Sequence, residues 1–295
     1  MKIFITGSKG QLAHDCMLVL KGRHEVKGLD LPELDIASRE SVKNALRPFR
    51  PDVIVNCAAY TKVDAAETDR DAAQKANAEG PALLAQYVRG EGGMLLHIST
   101  DYVFDGMRTP PASYRENDVT APTSWYGITK LQGEKAIALE TDRFAILRTA
   151  WLYGANGQNF LKTMLKLALK NKEKPFKVVN DQFGSPTWSY RLAEQIARVA
   201  EAGGRGIYHA TSEGHGTWYD LATKFLTAMQ VPFAIEPCTT ADYPTPARRP
   251  GNSILENRRL KMQSINVMKD WQEDVEEFAA KFREPLLLEC RAVLK

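Results

Sequence analysis

A doubly wound parallel α/β sheet with a smaller second lobe is the fold class that this sequence predicts. Three observations carry it. Across the first 150 residues, short apolar stretches alternate with amphipathic ones. The first apolar stretch runs directly into a glycine turn and a helix, TGSKGQLA at 6–13. Beyond residue 150 the alternation loosens, as in a lobe set over the carboxyl ends of the strands. Continuously apolar strands call for a sheet covered by helices on both faces. Right-handed crossovers then give a Rossmann-type sheet.

Element by element, Lys2–Thr6 (KIFIT) is predicted as the first strand, Gln11–Leu20 as a helix and Glu25–Leu29 as the second strand. Ser38–Phe49 is a helix, because SRE at its start supplies a cap followed by charges. Asp52–Asn56 is the third strand, Asp71–Arg89 a long helix, and Met94–Ser99 the fourth strand. Thr123–Thr141 is a helix and Phe144–Arg148 the fifth strand. In the second half, Asn159–Asn171, Tyr190–Ala202 and Thr217–Met229 read as helices, and Phe176–Val179 and Gly206–His209 as strands. Cys238–Asn252, rich in Pro, Thr and Arg, reads as a loop. Trp271–Arg283 and Pro285–Leu294 read as two closing helices.

The bulk numbers narrow the function classes. A chain of 295 residues with 44% hydrophobic and 25% charged residues is an ordinary globular composition. Its net charge of +3 and the lack of a Lys/Arg run argue against a nucleic-acid partner. No apolar run approaches a membrane span, and the N-terminus goes straight into a strand, so no membrane association is expected. Cys16, Cys57, Cys238 and Cys290 are scattered without metal-ligand spacing, which suits a reducing compartment. The cytoplasm is the expected location.

The glycine turn points to a dinucleotide. Gly7 permits the tight turn, and Gly10 lets a phosphate approach the helix N-terminus, where free N–H groups and the dipole favour anions. Ala13 is small enough for close helix–strand packing. Asp30 ends the second strand, where an acid accepts from a ribose hydroxyl and repels a 2′-phosphate. That favours NADH, although Lys9 and Arg23 could neutralise a phosphate. Asp35-Ile36 is a candidate adenine contact, and Asp35 reads equally as a turn residue or helix cap. In Asn56-Cys57-Ala58-Ala59-Tyr60 the small residues suit a cofactor passing over the strand end, or tight helix–sheet packing.

The fourth strand ends in Ser99-Thr100-Asp101, beyond the carboxyl edge where ligands of open α/β sheets bind. Tyr126 and Lys130 open the next helix near the same edge, four residues apart and so on one face. Reducing a ketone with hydride produces an alkoxide that needs a proton. A free phenol titrates near pKa ~10, and a cation one turn away is expected to lower that value. A hydroxyl from Thr100 can hold the substrate oxygen and orient Tyr126.

Taken in order, TGSKGQLA, NCAAY, STDYVFDG and Tyr126-Gly127-Ile128-Thr129-Lys130 resemble the extended short-chain dehydrogenase/reductase family. Within it the chain is similar to the dTDP-4-dehydrorhamnose reductase branch over nearly its whole length. Asp64 with Glu67, Arg148–Gly154, Asp181–Thr187 and Arg249–Ser253 all fit that branch. The resemblance implies NADPH or NADH as cofactor and a 4-keto sugar nucleotide as substrate. It implies a catalytic set of Thr100, Tyr126 and Lys130. It implies cofactor contacts at Gly10, Gln11, Leu12, Asp35, Ile36, Ala59, Tyr60 and Thr61, joining Gly7, Asp30 and Ala58. Thr100, Asp101 and Trp151 are implied to meet the sugar nucleotide, with Val63 lining its pocket. Residues 1–150 then form the NAD(P)-binding part and 151–295 mainly the substrate lobe, with about 188–210 returning to the first.

Some relatives dimerise through a metal held by acids. Asp15 and Glu194 are the candidates here, but their patterning also fits solvated helix faces. No metal ligand is therefore assigned, and a homodimer stays open. Sister dehydratases pair Asp with Glu after the threonine, whereas Tyr102 follows Asp101 here. Sister epimerases usually carry serine or a small residue at the threonine position. A non-catalytic regulatory subunit of the same fold is the rival of another class, and the intact Thr100, Tyr126 and Lys130 argue against it. His97, inside the fourth strand, reads as a satisfied core residue. Arg248 and Arg249 could meet a diphosphate or form a solvated turn.

Overall fold

The computed structural model describes residues 1–170 and 174–294. Six parallel strands form the central sheet, in the spatial order Gly206–His209, Phe144–Thr149, Met94–Thr100, Val53–Asn56, Lys2–Thr6, Glu25–Leu29. The chain leaves Lys2–Thr6 for a neighbour on one side and then returns for a neighbour on the other. Outside the carboxyl ends of Lys2–Thr6 and Val53–Asn56 this reversal opens a crevice.

Burial explains why the strands are apolar throughout. Ile3, Ile5, Val53, Val55, Leu96 and Leu147 pack on one face with Leu12, Cys16, Leu192 and Ile196. Phe4, Ile54, Leu95 and Ile146 pack on the other with Val42, Leu46, Leu84 and Ile137. Alternate residues of each strand therefore meet different helix layers, and neither face is left to water. The helix Ser189–Glu201 supplies part of the first layer, and Gly206–His209 pairs with Phe144–Thr149. A separate cluster, including Leu165, Trp188, Phe225, Val275 and Phe278, forms the core of the second lobe.

The strands Lys2–Thr6, Glu25–Leu29, Phe176–Val179 and Gly206–His209 and the helix Gln11–Leu20 have the bounds the sequence predicts. Ser38 and Ser124 cap Arg39–Leu46 and Trp125–Glu140 by accepting from Ser41 N and Gly127 N. Thr217 and Asp220 form a reciprocal capping box on Trp218–Ala228. The helix expected at Asn159–Asn171 spans Phe160–Lys170, and Asn171 lies outside the described residues.

Three expectations change. The long helix runs over residues 70–91 and contains a π turn at Lys75–Glu79. The segment read as a loop from Cys238 contains the end of the strand Ile235–Cys238 and a 3₁₀ turn at Thr240–Asp242. The two closing helices are one, Trp271–Val293, with Pro285 inside it. An apolar stripe of Phe278, Ala279, Leu286, Leu287 and Cys290 is buried on both sides of that proline, and its burial outweighs the lost backbone bond, an effect of about 3 kcal/mol. Among the described residues no helix is long and apolar enough to cross a membrane.

Candidate active site

The crevice at the strand ends has a volume of about 870 Å³ and gathers the catalytic, cofactor and sugar-nucleotide residues assigned from the sequence, but not Lys9, Arg23, Arg248 or Arg249. Gly7, Gly10, Gln11, Leu12, Asp30, Asp35, Ile36, Ala58, Ala59, Tyr60, Thr61, Val63, Thr100, Asp101, Tyr126, Lys130 and Trp151 all line it.

At its dinucleotide end, Gly7 has φ +65°, and a Cβ there would come within 2.8 Å of the Ala58 backbone. The turn and the Cys57-Ala58 strand end thus close on each other. Gly10 occupies the N-cap of Gln11–Leu20, with no side-chain cap and no acid in the first turn. The first-turn N–H groups are therefore free for an anion. Asp30 accepts from Lys9 N at 3.0 Å and Leu31 N at 2.8 Å. Asp35 accepts from Ala37 N at 2.9 Å, so it is a turn residue that also lines the crevice. Asn77, on the π turn, holds the Tyr60 backbone by both its N–H and its carbonyl.

At the other end the helix Trp125–Glu140 starts very close to the loop after the fourth strand. A Cβ on Gly127 would lie 2.3 Å from the Tyr102 carbonyl oxygen. This explains a glycine directly after Tyr126: any larger residue would push the phenol off the crevice. Tyr126 meets Tyr102 edge-on at 5.5 Å. Thr100 Oγ1 donates to Asp101 Oδ1 at 2.9 Å and accepts from Tyr102 N.

Burial pushes the Tyr126 phenol above its usual range, and the Thr100 hydroxyl beside it acts the opposite way. The expected lowering by Lys130 is not what the geometry gives. The Lys130 ammonium is held from the sheet side, donating to Ile98 O at 2.6 Å and meeting His97 Nε2 at 3.2 Å. Burial brings Lys130 down to about 8, against the attraction of Glu134 and Cys57. A protonated phenol is nevertheless the form that can donate a proton to an alkoxide. Burial also raises Asp101 to about 6, opposed by the hydroxyls of Ser253 and Thr100. Asp101 Oδ2 and Thr149 Oγ1 are buried atoms without partners, on residues that line the crevice.

Trp151 closes the second-lobe side. It has φ +47° and stacks on Trp218 with ring centroids 3.6 Å apart and planes 5° apart. Trp218 Nε1 in turn donates to Gln182 Oε1 at 3.0 Å.

A glycine turn on an uncapped helix and a Tyr-x-x-x-Lys pair beside a threonine now share one crevice, and comparison with known proteins gives their family. The family model described as RmlD substrate binding domain matches residues 1–284. The chain belongs to the RmlD family. Over 289 residues it is 39% identical to a dTDP-4-dehydrorhamnose reductase of Burkholderia thailandensis, covering 92% of this chain and 96% of that one. It is 41% identical over 282 residues to a probable dTDP-4,6-dihydroxy-2-methyloxan-3-one 4-ketoreductase of Streptomyces antibioticus, covering 94% of each. A dTDP-4-dehydrorhamnose reductase structure from Bacillus anthracis in complex with NADP superposes with a TM-score of 0.91 at 34% identity, covering 95% of this chain and 99% of that one.

In this RmlD-family chain several crevice residues escaped sequence reasoning. Tyr102, Lys75, Thr149, Gln158 and Asn159 line it as well. Asn159 donates to Gly154 O at 2.8 Å and to Gln11 Oε1 at 2.9 Å, tying the second lobe to the first turn of the glycine helix. Of these, Tyr102 carried a signal as part of STDYVFDG and Thr149 as part of Arg148–Gly154. Arg249, read as a diphosphate contact or a solvated turn, pairs with Asp64 at 2.7 Å and reaches the Tyr102 hydroxyl at 3.4 Å, so it is not a solvated turn. Asp15 is buried against Ser189 rather than on a solvated face, and Glu194 pairs with Arg191. Among the described residues no group of three His, Cys, Asp or Glu side chains is arranged to hold a metal ion.

Proposed function

We propose that this protein reduces the 4-keto group of dTDP-4-dehydro-β-L-rhamnose to dTDP-β-L-rhamnose, the closing step of dTDP-L-rhamnose synthesis, with NADPH or NADH as reductant. The observation that carries it is the meeting of Thr100, Tyr126 and Lys130 with the uncapped glycine helix in one crevice. The free amides of Gln11, Leu12 and Ala13 suit a pyrophosphate, with Gly7 and Gly10 allowing its approach. Asp30, Asp35 and Ile36 flank the adenosine end, and Ala58, Ala59, Tyr60 and Thr61 the middle. A nicotinamide bound there supplies the hydride. Tyr126 donates the proton that the reduced oxygen requires, and Thr100 holds that oxygen in line. Lys130 presents its ammonium to the crevice. Asp101, Val63 and Trp151 orient the sugar nucleotide.

Residues 1–150 serve as the NAD(P)-binding part, and 151–295 mainly as the sugar-nucleotide part, with about 188–210 built back onto the sheet. The cytoplasm is the compartment this reading calls for, and a homodimer is compatible with it. The similarity to the Streptomyces antibioticus 4-ketoreductase favours one second reading, a related 4-keto deoxysugar nucleotide as substrate. The test is turnover of purified protein with dTDP-4-dehydro-β-L-rhamnose, followed with NADPH and NADH in parallel. Oxidation of either, with dTDP-β-L-rhamnose as product, supports the reading. No oxidation with either defeats it.

A further inference from the structure

Behind Lys130 lies a chain of polar groups that the reductase reading leaves unused. Thr6, Asn56 and His97 end or occupy the first, third and fourth strands, and all three are at most 1% exposed. Thr6 Oγ1 lies 2.6 Å from Asn56 Oδ1, Asn56 Nδ2 lies 2.9 Å from His97 Nδ1, and His97 Nε2 lies 3.2 Å from Lys130 Nζ. Core polar groups are expensive unless paired, and a row of three running straight to a catalytic lysine has a consequence for that lysine.

We propose that His97 is a positioning residue for the reaction: its Nε2, held in place by Asn56 and Thr6, accepts from the Lys130 ammonium and aims the one remaining N–H into the cofactor crevice. An ammonium has three donors. Ile98 O takes one and His97 Nε2 a second, so a single N–H remains for a hydroxyl in the crevice that Lys130 lines.

The ring's tautomer is tied to the charge of Lys130. A neutral imidazole carries one N–H and one acceptor nitrogen. Burial and the nearby Lys130 charge hold His97 well below its usual range, so the ring is neutral. Opposite an ammonium its proton must sit on Nδ1, and the Asn56 oxygen must face it. The amide as oriented, with its nitrogen towards Nδ1, matches the opposite tautomer and an unprotonated Lys130. Turning the isosteric amide over exchanges the two: its oxygen then accepts from Nδ1–H and its nitrogen donates to Thr6 Oγ1, the arrangement that goes with a charged Lys130. The groups facing Lys130 are Ile98 O and His97 from the fourth strand, Cys57 just past the third, and Glu134 from its own helix. Among them only His97 and Ile98 accept from it directly.

The kinetic part of the test rests on the reductase reading, and the spectroscopic part does not. Imidazole ¹⁵N shifts of the unaltered protein near neutral pH should show the proton on Nδ1 and a hydrogen-bonded, acceptor Nε2. A proton on Nε2 there overturns the proposal. His97→Leu should lower kcat about tenfold, weaken NADPH binding measured by fluorescence, and move the alkaline fall of kcat/KM to lower pH, since loss of an acceptor disfavours the ammonium. His97→Gln, whose amide can reach the Nε2 position, should regain most of each. A folded His97→Leu with native NADPH affinity and an unmoved pH profile overturns the proposal, as does a Gln variant no better than Leu. If His97→Leu does not fold, the tautomer in the unaltered protein still decides. Absent turnover would fail the reductase reading and leave the tautomer and NADPH-binding measurements standing.

Discussion

The crevice wall made by residues 7–13, 58–61, 100 and 126–130 and the wall made by Trp151, Gln158 and Asn159 hold their side chains in different ways. On the first wall the groups sit at or just past a strand end or in the opening turns of a helix, and most of their neighbours in space follow from sequence or sheet register, with Asn77 on Tyr60 and Tyr102 on Gly127 as the longer-range contacts. On the second wall Trp151 is set by a stack on Trp218, which is set by Gln182, which donates to Thr240 Oγ1. The first wall follows from local rules, and the second exists only once distant segments have met.

That difference decides what could be read from the residues alone. Lys2–Thr6, the glycine turn and Gln11–Leu20 were legible because an apolar run, two glycines and a helical period fix them within a dozen residues. Tyr126 and Lys130 were legible because helical spacing puts them on one face. Asn159 was not, because its role comes from Gln11, far away in sequence. The Trp218 support behind Trp151, the two-residue strands Leu152–Tyr153, Phe183–Gly184, Thr187–Trp188 and Gly216–Thr217, and the continuous helix through Pro285 were illegible for the same reason. The expected effect of Lys130 on Tyr126 failed differently. Spacing gave the right neighbours, but the ammonium's direction depends on His97 and Ile98 across the sheet.

Mutations can break this comparison. Tyr126→Phe removes the proton donor and should lower kcat by about 10²–10⁴-fold with NADPH affinity by fluorescence nearly unchanged. A variant that keeps full activity would remove the first wall from the chemistry. Glu134 receives bidentate donation from Arg148 and a bond from Ser99 beneath the Tyr126 helix, with both charged side chains 3% exposed. Glu134→Leu leaves Arg148 buried without its partner and should cost ~3–5 kcal/mol in a denaturant titration. Trp151→Ala should raise KM for the sugar nucleotide about tenfold, ~1.4 kcal/mol, and leave NADPH binding alone. Trp218→Ala should reproduce part of that rise through the lost stack, and equal damage to NADPH affinity would mean that the two walls are not separable.

Two smaller effects sharpen the first wall. Asp30→Ala should improve NADPH relative to NADH in kcat/KM by about threefold to tenfold, because an acid at the second strand's end opposes a 2′-phosphate. An unchanged ratio would remove Asp30 from cofactor choice. Lys130 is depressed to about 8 from 10.5, so its ammonium is lost as pH rises through about 8, and kcat/KM should decline there. The unfolded chain keeps that proton up to its higher pKa, so this group adds stability with rising pH between those two values. An activity profile flat through that range would contradict the buried-ammonium assignment.

The most direct measurement follows the hydride itself. With dTDP-4-dehydro-β-L-rhamnose and NADPH or NADH deuterated at the transferred position, the account predicts dTDP-β-L-rhamnose carrying one deuterium on C4 and stoichiometric oxidised cofactor. Sugar nucleotide recovered without deuterium at C4, or altered with no net oxidation of the cofactor, would contradict it.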